Sequence, residues 1–516
     1  MKQNTNNPAA SSVWLKVVVC FMVALAAGLF LWLNISTAMS VAVWIDDAMQ
    51  VDAGVNLYLG NGWVSTAWSS QSVREFWAAN NPLYTLLEYG WMCIFGFSPV
   101  VLRSLNYVLA LAIAWLVVDT TGRAGLLRSL WARILLGVLL VSNQAVTYVY
   151  REGRADLLPL FVAALLFRIY TAVPDPRRRR VLLFLAATLM LASGLHVIPY
   201  VVLLLCLDFL FSRKLRLGDI AAIALGCAAG GAALAVIFLS KHSLQAYVAQ
   251  TFASGYNILG SGLQAALNRN PAAVARFLVQ VRALSPVSVL KTIGHDTSLL
   301  PLLLFLLCLA ILLWREKASK LRSAALAGLI AAVLIPYGMF AAGRYALYYL
   351  CMGAVPVLIA FTVALEQSWM ARKSPWMAGG VLAAIAAIML GMPSYIWQDV
   401  HKTPPNAYRV VEQFLRSEAK PGDVLYGDSV LYYAAKTAGI PFFTTSYGGG
   451  HGYPRISDEE RSRISLLIVQ PQQVAESFEK LGPGWIPQGT HSLPYDLSLV
   501  VYTRAAQPGG EVVPNR

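Results

Sequence analysis

Charged residues are scarce in this sequence. Asp, Glu, Lys and Arg together make up 13% of the 516 residues, whereas 57% are hydrophobic, and the mean hydropathy is +0.58. Such a composition argues against a soluble globular protein. Cysteine is also sparse, because the chain has six, all in apolar segments and none in the polar tail. A disulfide framework or a thiolate zinc site is therefore not expected.

Apolar sequence, in contrast, is abundant and comes in blocks of membrane-spanning length. About 20 mostly apolar residues cross a hydrocarbon core of about 30 Å. The sequence predicts eleven spans, near residues 13–34, 100–119, 131–149, 157–173, 181–196, 197–211, 219–240, 298–314, 323–342, 345–364 and 375–392. The first block is predicted to be a span rather than a cleaved signal peptide, because no convincing small-residue cleavage site follows it.

The net charge of +14 is spread over short links between these blocks rather than gathered in one domain. This distribution argues against nucleic-acid binding. It instead indicates how the chain is oriented across the membrane, because basic links tend to stay in the cytoplasm. With the N-terminus inside, the inner links carry Arg123, Arg128, Arg133, Arg177 to Arg180, Arg213, Lys214, Arg216, Arg315, Lys317, Lys320, Arg322, Arg372 and Lys373. The short outer links hold only Arg151, Arg154 and Arg344. The expected location is the inner (cytoplasmic) membrane, with a cytoplasmic N-terminus.

The apolar block from Pro82 to Phe97 would reverse this orientation if it crossed the membrane. It is short, contains Glu88 and is rich in aromatic residues, which favours a helix lying in the membrane interface. The alternative, a true span, stays open, although it would place four consecutive arginines outside.

Three polar stretches are predicted on the outer face: residues 35–98, residues 241–298 and the tail. All six histidines fall on this side. The tail alternates helix-like and strand-like segments, which predicts a small extracytoplasmic α/β domain over residues 393–516, beside a transmembrane domain over residues 1–392. No G-x-G-x-x-G follows its first strand, so nucleotide binding is not expected there.

Charged side chains gather at the outer ends of three spans. They are the adjacent Asp46 and Asp47, the pair Arg154 and Asp156 within YVYREGRADLLPLF, and Arg344 followed by Tyr345. Each group has a purely structural interpretation: a solvated loop, an ion pair that closes a turn, or an arginine that reaches the interface. Each also has a functional one, and the residues alone leave both open.

Taken together, four features carry a family resemblance. They are the acidic pair, the N-P-L-Y segment from Asn81 to Tyr84, the R-A-D triplet from Arg154 to Asp156, and the late R-Y. In this combination the chain resembles the bacterial GT-C membrane glycosyltransferases, specifically the family of the protein O-mannosyltransferases and the aminoarabinose transferase acting on lipid A. The resemblance covers about the first 210 residues well and the rest by span pattern.

The resemblance implies an all-α polytopic membrane protein of the GT-C type, completed by the α/β domain. It also implies that Asp46 is the catalytic carboxylate, supported by Asp47 and Asp156. Some relatives carry a lysine after a glycine near the outer end of a middle span, where this chain reads GLHVIPY, so His196 is the candidate substitute. The expected ligands of the donor phosphate are Arg154, Arg344, Tyr345 and His196, and further outer cations that stay open are Arg103, Lys241, His242, Arg276, Arg282 and Lys291.

The expected reaction moves a sugar, with inversion, from a polyprenyl-phosphate donor to a glycan, lipid or protein acceptor. A phosphate leaves without being protonated, so one carboxylate acting as general base suffices. No cofactor is required, although a divalent cation held by Asp46, Asp47 and Asp156 remains open. The alternatives are a transporter or flippase of a lipid-linked sugar, or a membrane scaffold. A transporter is less favoured because the sequence has no internal repeat and the span centres lack charge.

Overall fold

The computed structural model describes residues 32–35, 37–38, 42–68, 71–79, 81–212, 216–252, 326–335, 349–370, 374–402, 407–447 and 456–505, with scattered single residues between these ranges. The chain is mainly helical. The helices of the first half are Ile45–Tyr58, Pro82–Phe95, Pro99–Arg123, Leu130–Ser142, Gln144–Arg151, Leu157–Ala172, Pro176–Ala187, Met190–Ser193, Val197–Ser212, Leu217–Ser240 and Leu244–Phe252. Later helices are Leu350–Met370, Ser374–Leu390, Met392–Lys402, Ala407–Glu418, Tyr432–Thr437, Asp458–Arg463 and Val474–Leu481.

Several helices have the length and composition of membrane spans. Among the described residues, Pro99–Arg123, Leu217–Ser240, Leu350–Gln367 and Gly379–Lys402 qualify individually. Large apolar side chains on their surfaces are exposed, as expected where the neighbour is lipid rather than protein. Predicted spans at 100–119, 157–173, 197–211, 219–240, 345–364 and 375–392 each overlap a helix. The total of eleven remains a prediction, because 298–314 lies outside the described residues and 13–34 and 323–342 are described only in part.

The predicted span at 131–149 is not a single helix but a bent pair of helices, which together have the length and composition of a span. It consists of Leu130–Ser142 and Gln144–Arg151, which meet at an angle of 52°. Asn143 causes the break, because its side chain accepts hydrogen bonds from the backbone N–H groups of Ala145 (3.0 Å) and Val146 (3.4 Å) and so starts a new helix.

The predicted span at 181–196 is also divided, into Pro176–Ala187 and the short Met190–Ser193. The Leu217–Ser240 helix packs against the break between these two helices, and two of its glycines lie at the contact. A Cβ on Gly226 would lie 2.3 Å from the carbonyl oxygen of Phe184, and one on Gly230 would lie 2.1 Å from that of Thr188. Contact between helices through such small residues replaces side-chain packing with close backbone approach.

The Pro82–Phe95 segment, predicted as interfacial, forms one helix of 14 residues, too short to count as a span by length. One face, which includes Thr85 and Glu88, is buried, whereas Leu86, Leu87 and Ile94 on the opposite face are exposed. The buried face packs on Ile45–Tyr58, and the hydroxyl of Thr85 donates to the carbonyl of Gln50 at 2.7 Å. Its place in the interface remains a prediction.

The tail folds as a five-stranded sheet flanked by helices, as its alternating pattern predicts. The strands are β1 (Leu425–Gly427), β2 (Phe442–Thr444), β3 (Leu466–Val469), β4 (Trp485–Leu493) and β5 (Leu497–Arg504), in the order β2-β1-β3-β5-β4. Strands β1, β2 and β3 are parallel, and β5 and β4 continue the sheet in antiparallel pairing. Strand β4 was not predicted, because Pro487 and Gly489 interrupt its sequence and the pairing shifts register between them.

The tail is joined to the first polar stretch by buried hydrogen bonds and an ion pair. The hydroxyl of Tyr433 donates to Asp47 at 2.7 Å, and that of Tyr432 donates to Asp52 at 2.8 Å. Lys436 Nζ lies 3.0 Å from Asp52 Oδ1. All five side chains are buried. The Ile45–Tyr58 helix therefore carries carboxylates that fix the tail in one orientation.

We expect Tyr432→Phe to lower the free energy of unfolding by about 1–3 kcal/mol, because a buried carboxylate loses a hydrogen-bond donor. Burial tends to raise the pKa of Asp52, but the Lys436 ammonium and hydrogen bonds from Ser65 and Tyr432 outweigh it and lower that pKa overall. The ionised form is therefore the one the fold favours. The stability that ionised Asp52 contributes is present above the pKa of the unfolded chain and is lost as the pH falls. The difference in stability between Tyr432→Phe and the wild type should therefore shrink in acid.

Thermal unfolding of the detergent-solubilised protein at several pH values measures this effect. Tyr408→Phe is the control, because the Tyr408 hydroxyl makes only an exposed 3.4 Å contact with Thr437. Equal melting temperatures for Tyr432→Phe and the control would contradict the anchoring role of Asp52.

Candidate active site

Asp46 lies in the first turn of the Ile45–Tyr58 helix, two residues after Trp44, which precedes the helix. The positive end of a helix dipole favours a carboxylate at this position. The carboxylate forms an ion pair with Arg154, and 28% of the Asp46 side chain remains exposed, compared with 3% for Arg154. Asp46 is therefore a charged group that is held in place from one side and open to solvent on the other.

Arg154 connects the acidic groups of the site. Its Nε lies 2.8 Å from Asp156 Oδ2, its Nη1 contacts Asp46, and its guanidinium stacks over the Trp44 ring at 5.2 Å. Asp156 in turn lies 3.4 Å from His196 Nε2, and the His196 ring contacts that of Tyr349 edge-on. Residues from three separate segments thus form one polar cluster, with Arg154 at its centre.

Asp47 points away from this cluster. Its Oδ2 lies 3.1 Å from Arg103 Nη2, its Oδ1 accepts from the Tyr433 hydroxyl, and its side chain is 1% exposed. Burial raises the pKa of Asp47 above its ordinary value, although Arg103 and the hydrogen bond from Tyr433 oppose this increase. Asp47 therefore depends on these two partners to keep its charge.

The turn that carries Arg154 is fixed by its neighbours. Gly153 has φ +69°, and a Cβ there would lie 2.7 Å from Asp47 Oδ1, so only glycine fits. The hydroxyl of Tyr84 donates to the carbonyl of Gly153 at 3.0 Å. The N–H of Ala155 donates to Gln50 Oε1 at 2.6 Å. The turn thus approaches the Ile45–Tyr58 helix closely, which sets Arg154 against Asp46.

Arg151, at the start of the same turn, has a structural role. Its guanidinium donates to Thr37 Oγ1 at 2.9 Å and to Asn34 Oδ1 at 3.3 Å, and pairs with Asp399. It joins three segments far apart in the sequence and is 3% exposed. For this residue the interpretation as an ion pair that fastens the turn applies.

Glu152 follows Arg151 and has an unusual proton affinity. Burial, with a contribution from Asp47, raises its pKa to about 7 against the opposing effect of nearby arginines. The fold therefore favours the protonated form, and the stability gained from it is present below the ordinary pKa of 4.5 and lost as the pH rises through about 7.

Above pH 7, we expect Glu152→Gln to raise the free energy of unfolding by up to about 3 kcal/mol, and with it the melting temperature. Below pH 4.5 the substitution should change both little. Thermal unfolding across the pH range measures this, with Glu479→Gln on the exposed surface of the tail as the control. A glutamine variant that is less stable than the wild type at alkaline pH would contradict the raised pKa of Glu152.

The structure brings together four of the predicted site residues, namely Asp46, Arg154, Asp156 and His196, whereas Asp47 faces Arg103 instead. Arg344 and Tyr345 lie outside the described residues, as do Arg276, Arg282 and Lys291. Arg103 is not a free cation for phosphate, because it is buried against Asp47. Lys241 lies over the Phe76 ring at 5.8 Å.

The three carboxylates considered for a divalent cation do not converge. Asp46 and Asp156 share Arg154, and Asp47 faces Arg103. In the described ranges no group of three or more His, Cys, Asp or Glu side chains is placed to hold a metal ion.

Sequence reasoning missed Trp44, Gln50 and Tyr433. Trp44 and Gln50 carried a usable signal, since they flank the acidic pair within one helical turn. Tyr433 carried none, because its contact with Asp47 joins residues 386 positions apart.

Comparisons with known proteins show the fold. No family model matches the sequence, and the search of curated proteins found no match. The chain is similar to ArnT from Cupriavidus metallidurans in the apo state, with a TM-score of 0.57, 15% identity, and coverage of 95% of this chain and 98% of that one. The same protein bound to undecaprenyl phosphate gives a TM-score of 0.55 and 14% identity, over 98% of this chain and 100% of that one.

The archaeal oligosaccharyltransferase AglB from Archaeoglobus fulgidus, in complex with an inhibitory peptide and a dolichol-phosphate, gives a TM-score of 0.50. It is 11% identical, over 96% of this chain and 75% of that one. These structures are GT-C fold glycosyltransferases. The fold predicted from the four sequence features is therefore confirmed.

Proposed function

We propose that the protein is a membrane glycosyltransferase that moves a sugar from a polyprenyl-phosphate carrier to an acceptor at the outer face of the cytoplasmic membrane. The observation that carries the proposal is the cluster of Asp46, Arg154, Asp156 and His196. It contains one accessible carboxylate and a buried cation. The GT-C fold of the chain and the ArnT structure bound to undecaprenyl phosphate support the choice of carrier.

Asp46 is the proposed general base. Among the three carboxylates it alone combines exposure with a fixed position, since Asp47 and Asp156 have side chains that are 1% and 6% exposed. A base must reach within hydrogen-bond distance of the proton it accepts. An acceptor hydroxyl can approach Asp46 from the open side, opposite Arg154.

The bond changes follow from these positions. Asp46 takes the proton of the acceptor hydroxyl while the oxygen of that hydroxyl attacks the anomeric carbon of the donor sugar. The bond from that carbon to the phosphate oxygen breaks, and the electron pair leaves with the phosphate. A single displacement of this kind inverts the configuration. It needs no acid, because the phosphate departs as an anion.

Arg154 and His196 are the proposed cations for the departing phosphate. A guanidinium in a site with little water binds a phosphate strongly. Arg154 is already paired with Asp46 and Asp156, so an incoming phosphate competes with Asp46 for it. Binding of the donor would thereby release the Asp46 carboxylate from Arg154 and leave it free to meet the acceptor hydroxyl. Arg344 and Tyr345 remain proposed phosphate ligands on the sequence resemblance alone.

The purified protein in nanodiscs, given lipid extract that contains polyprenyl-phosphate sugars, tests the proposal. We expect time-dependent release of free polyprenyl phosphate when acceptor-containing membrane extract is added, measured by mass spectrometry. The mechanism requires no metal, so EDTA should leave the rate unchanged. A flippase breaks no bond, so an unchanged pool of lipid-linked sugar would overturn the proposal and favour transport.

A further inference from the structure

A groove of about 470 Å³ opens between the tail sheet and the segment that precedes Asp46. One wall is formed by residues 42–45, and the other by loops of the tail. A cavity of this size holds a ligand of several rings. The groove lies beside the polar cluster around Arg154 but is lined by none of the four residues of that cluster. It is therefore a separate feature of the molecule.

The tail wall of the groove lies at the carboxyl ends of the parallel strands. Asp428 follows β1, Thr445 follows β2 and Gln470 follows β3, and all three line the groove. In open α/β sheets, ligands bind in the crevice outside these strand ends. The tail thus places its usual ligand edge against the membrane domain.

The lining that the tail loops provide is mainly polar. Hydroxyl and amide groups come from Ser429, Thr445, Ser446 and Gln473, and carboxylates from Asp428 and Glu476. No Lys, Arg or His is among the described residues that line the groove. Glu476 is paired with Lys480 at 2.7 Å, whereas Asp428 accepts hydrogen bonds only from the neutral groups of Gln470 and Val430 among its described contacts. An anionic ligand would therefore meet a carboxylate with no paired cation at Asp428, whereas a hydroxyl-rich ligand would find donors and acceptors.

Two aromatic residues complete the walls. Trp44 is 37% exposed and lines the groove together with Tyr495. Tyr495 has φ +72° and the following Asp496 has φ +52°, in the short loop between β4 and β5. Non-glycine residues in this conformation cost about 1 kcal/mol or more each, and they concentrate at ligand sites. The strained loop brings the Tyr495 ring to the groove.

The groove ends beside the proposed base. Its lining includes Trp44 and Ile45, the two residues that precede Asp46 in the chain. The Trp44 ring lies 5.2 Å from the Arg154 guanidinium that pairs with Asp46. A ligand lying in the groove can therefore extend one hydroxyl past Trp44 to Asp46.

We propose that this groove binds the acceptor, and that the acceptor is an uncharged, hydroxyl-rich glycan. The proposal rests on the proposed function and adds the substrate class to it. Amphipathic aromatic rings and neutral hydroxyl and amide groups suit sugar rings, which have both apolar faces and polar edges. An extended peptide would instead use unpaired backbone groups along a sheet edge, and the groove lies across strand ends.

Saturation-transfer NMR on the full-length protein in nanodiscs tests the assignment directly. The probes are maltoheptaose and mannopentaose as neutral glycans, trigalacturonic acid as an anionic one, and a serine- and threonine-rich peptide. We expect signals from a neutral glycan and weaker or absent signals from the other two. Absence of signal from both neutral glycans, or a stronger signal from the peptide or the anion, overturns the proposal.

Two variants locate the binding. Gln473→Trp fills the groove and should weaken glycan binding about tenfold or more, whereas Gln488→Trp on the exposed face of β4 should leave it unchanged. Thr445→Val is the milder variant. It removes a hydroxyl but keeps the backbone bonds that Thr445 makes with Gly427 and Tyr426, and should weaken binding severalfold. Full glycan binding in both groove variants overturns the proposal.

Asp46→Asn separates this inference from the proposed function. The asparagine variant should still bind the glycan, because the groove does not include Asp46. Both groove variants should still be stabilised by undecaprenyl phosphate. If the wild type binds the glycan but releases no polyprenyl phosphate, the proposed function fails, and the groove remains a glycan-binding site without an acceptor role. If release occurs and the groove variants bind glycan normally, the groove assignment fails alone.

Discussion

Replacing Asp46 by asparagine should reduce sugar transfer by about a hundredfold to ten-thousandfold, the usual contribution of a positioned general base. The amide keeps the size of the side chain and can still accept a hydrogen bond from Arg154. It cannot take the proton of an acceptor hydroxyl at neutral pH. The loss should therefore fall on the catalytic rate constant rather than on the binding of undecaprenyl phosphate, which thermal stabilisation of the purified protein measures.

The matched control is Asp458→Asn in the tail, because the Asp458 side chain is 97% exposed and far from the cluster in sequence. Asp46→Glu adds a second comparison, since it restores a carboxylate in a displaced position and should recover part of the rate. A wild-type rate in Asp46→Asn, at equal expression, would remove Asp46 from the mechanism.

Replacing Arg103 by methionine should lower the free energy of unfolding by about 3–5 kcal/mol, because it leaves the buried Asp47 carboxylate without its cation. Burial raises the pKa of Asp47, and Arg103 is the largest influence that opposes it. Without Arg103 the carboxyl should take up a proton on folding. The stability of the variant should therefore rise as the pH is lowered, which the wild type does not show to the same extent.

The double variant with Asp47→Asn isolates this effect. Removing both charges should recover part of the lost stability, since no buried charge then remains unpaired. Arg416→Met, which removes an exposed arginine paired with Glu412, is the control and should cost about 1 kcal/mol or less. A small effect of Arg103→Met would contradict the assignment of this ion pair as a buried link between the Pro99–Arg123 and Ile45–Tyr58 helices.

The sequence already placed several of the clustered polar residues near one another. Arg154 and Asp156 lie two residues apart in one turn, and their shared side of the membrane with Asp46 follows from the spacing of apolar blocks. Their direct contact, however, depends on the tight turn at Gly153 and on Gln50, which bind the two segments together. Such short-range details appear in the sequence only as a glycine and a glutamine among many.

The breaks in the spans were not predictable from hydropathy, because the residues that cause them are single and polar. Asn143 divides one apolar block, and the turn near Thr188 is stabilised by a glycine more than 40 positions later, Gly230. The separate roles of Asp46 and Asp47 likewise depend on distant partners. Adjacent residues on a helix point about 100° apart, but only the folded chain shows which of the two meets Arg103.

The central claim is that Asp46, held by Arg154, is the base for sugar transfer from a lipid carrier. Comparative mass spectrometry of envelope glycans, lipids and proteins tests it most directly, in cells that express the wild type, no protein, or Asp46→Asn at equal abundance. The account predicts that one sugar mass is missing from the same acceptor in both the cells without the protein and the Asp46→Asn cells. Asp46→Asn cells with the complete set of sugars found in the wild type would contradict it.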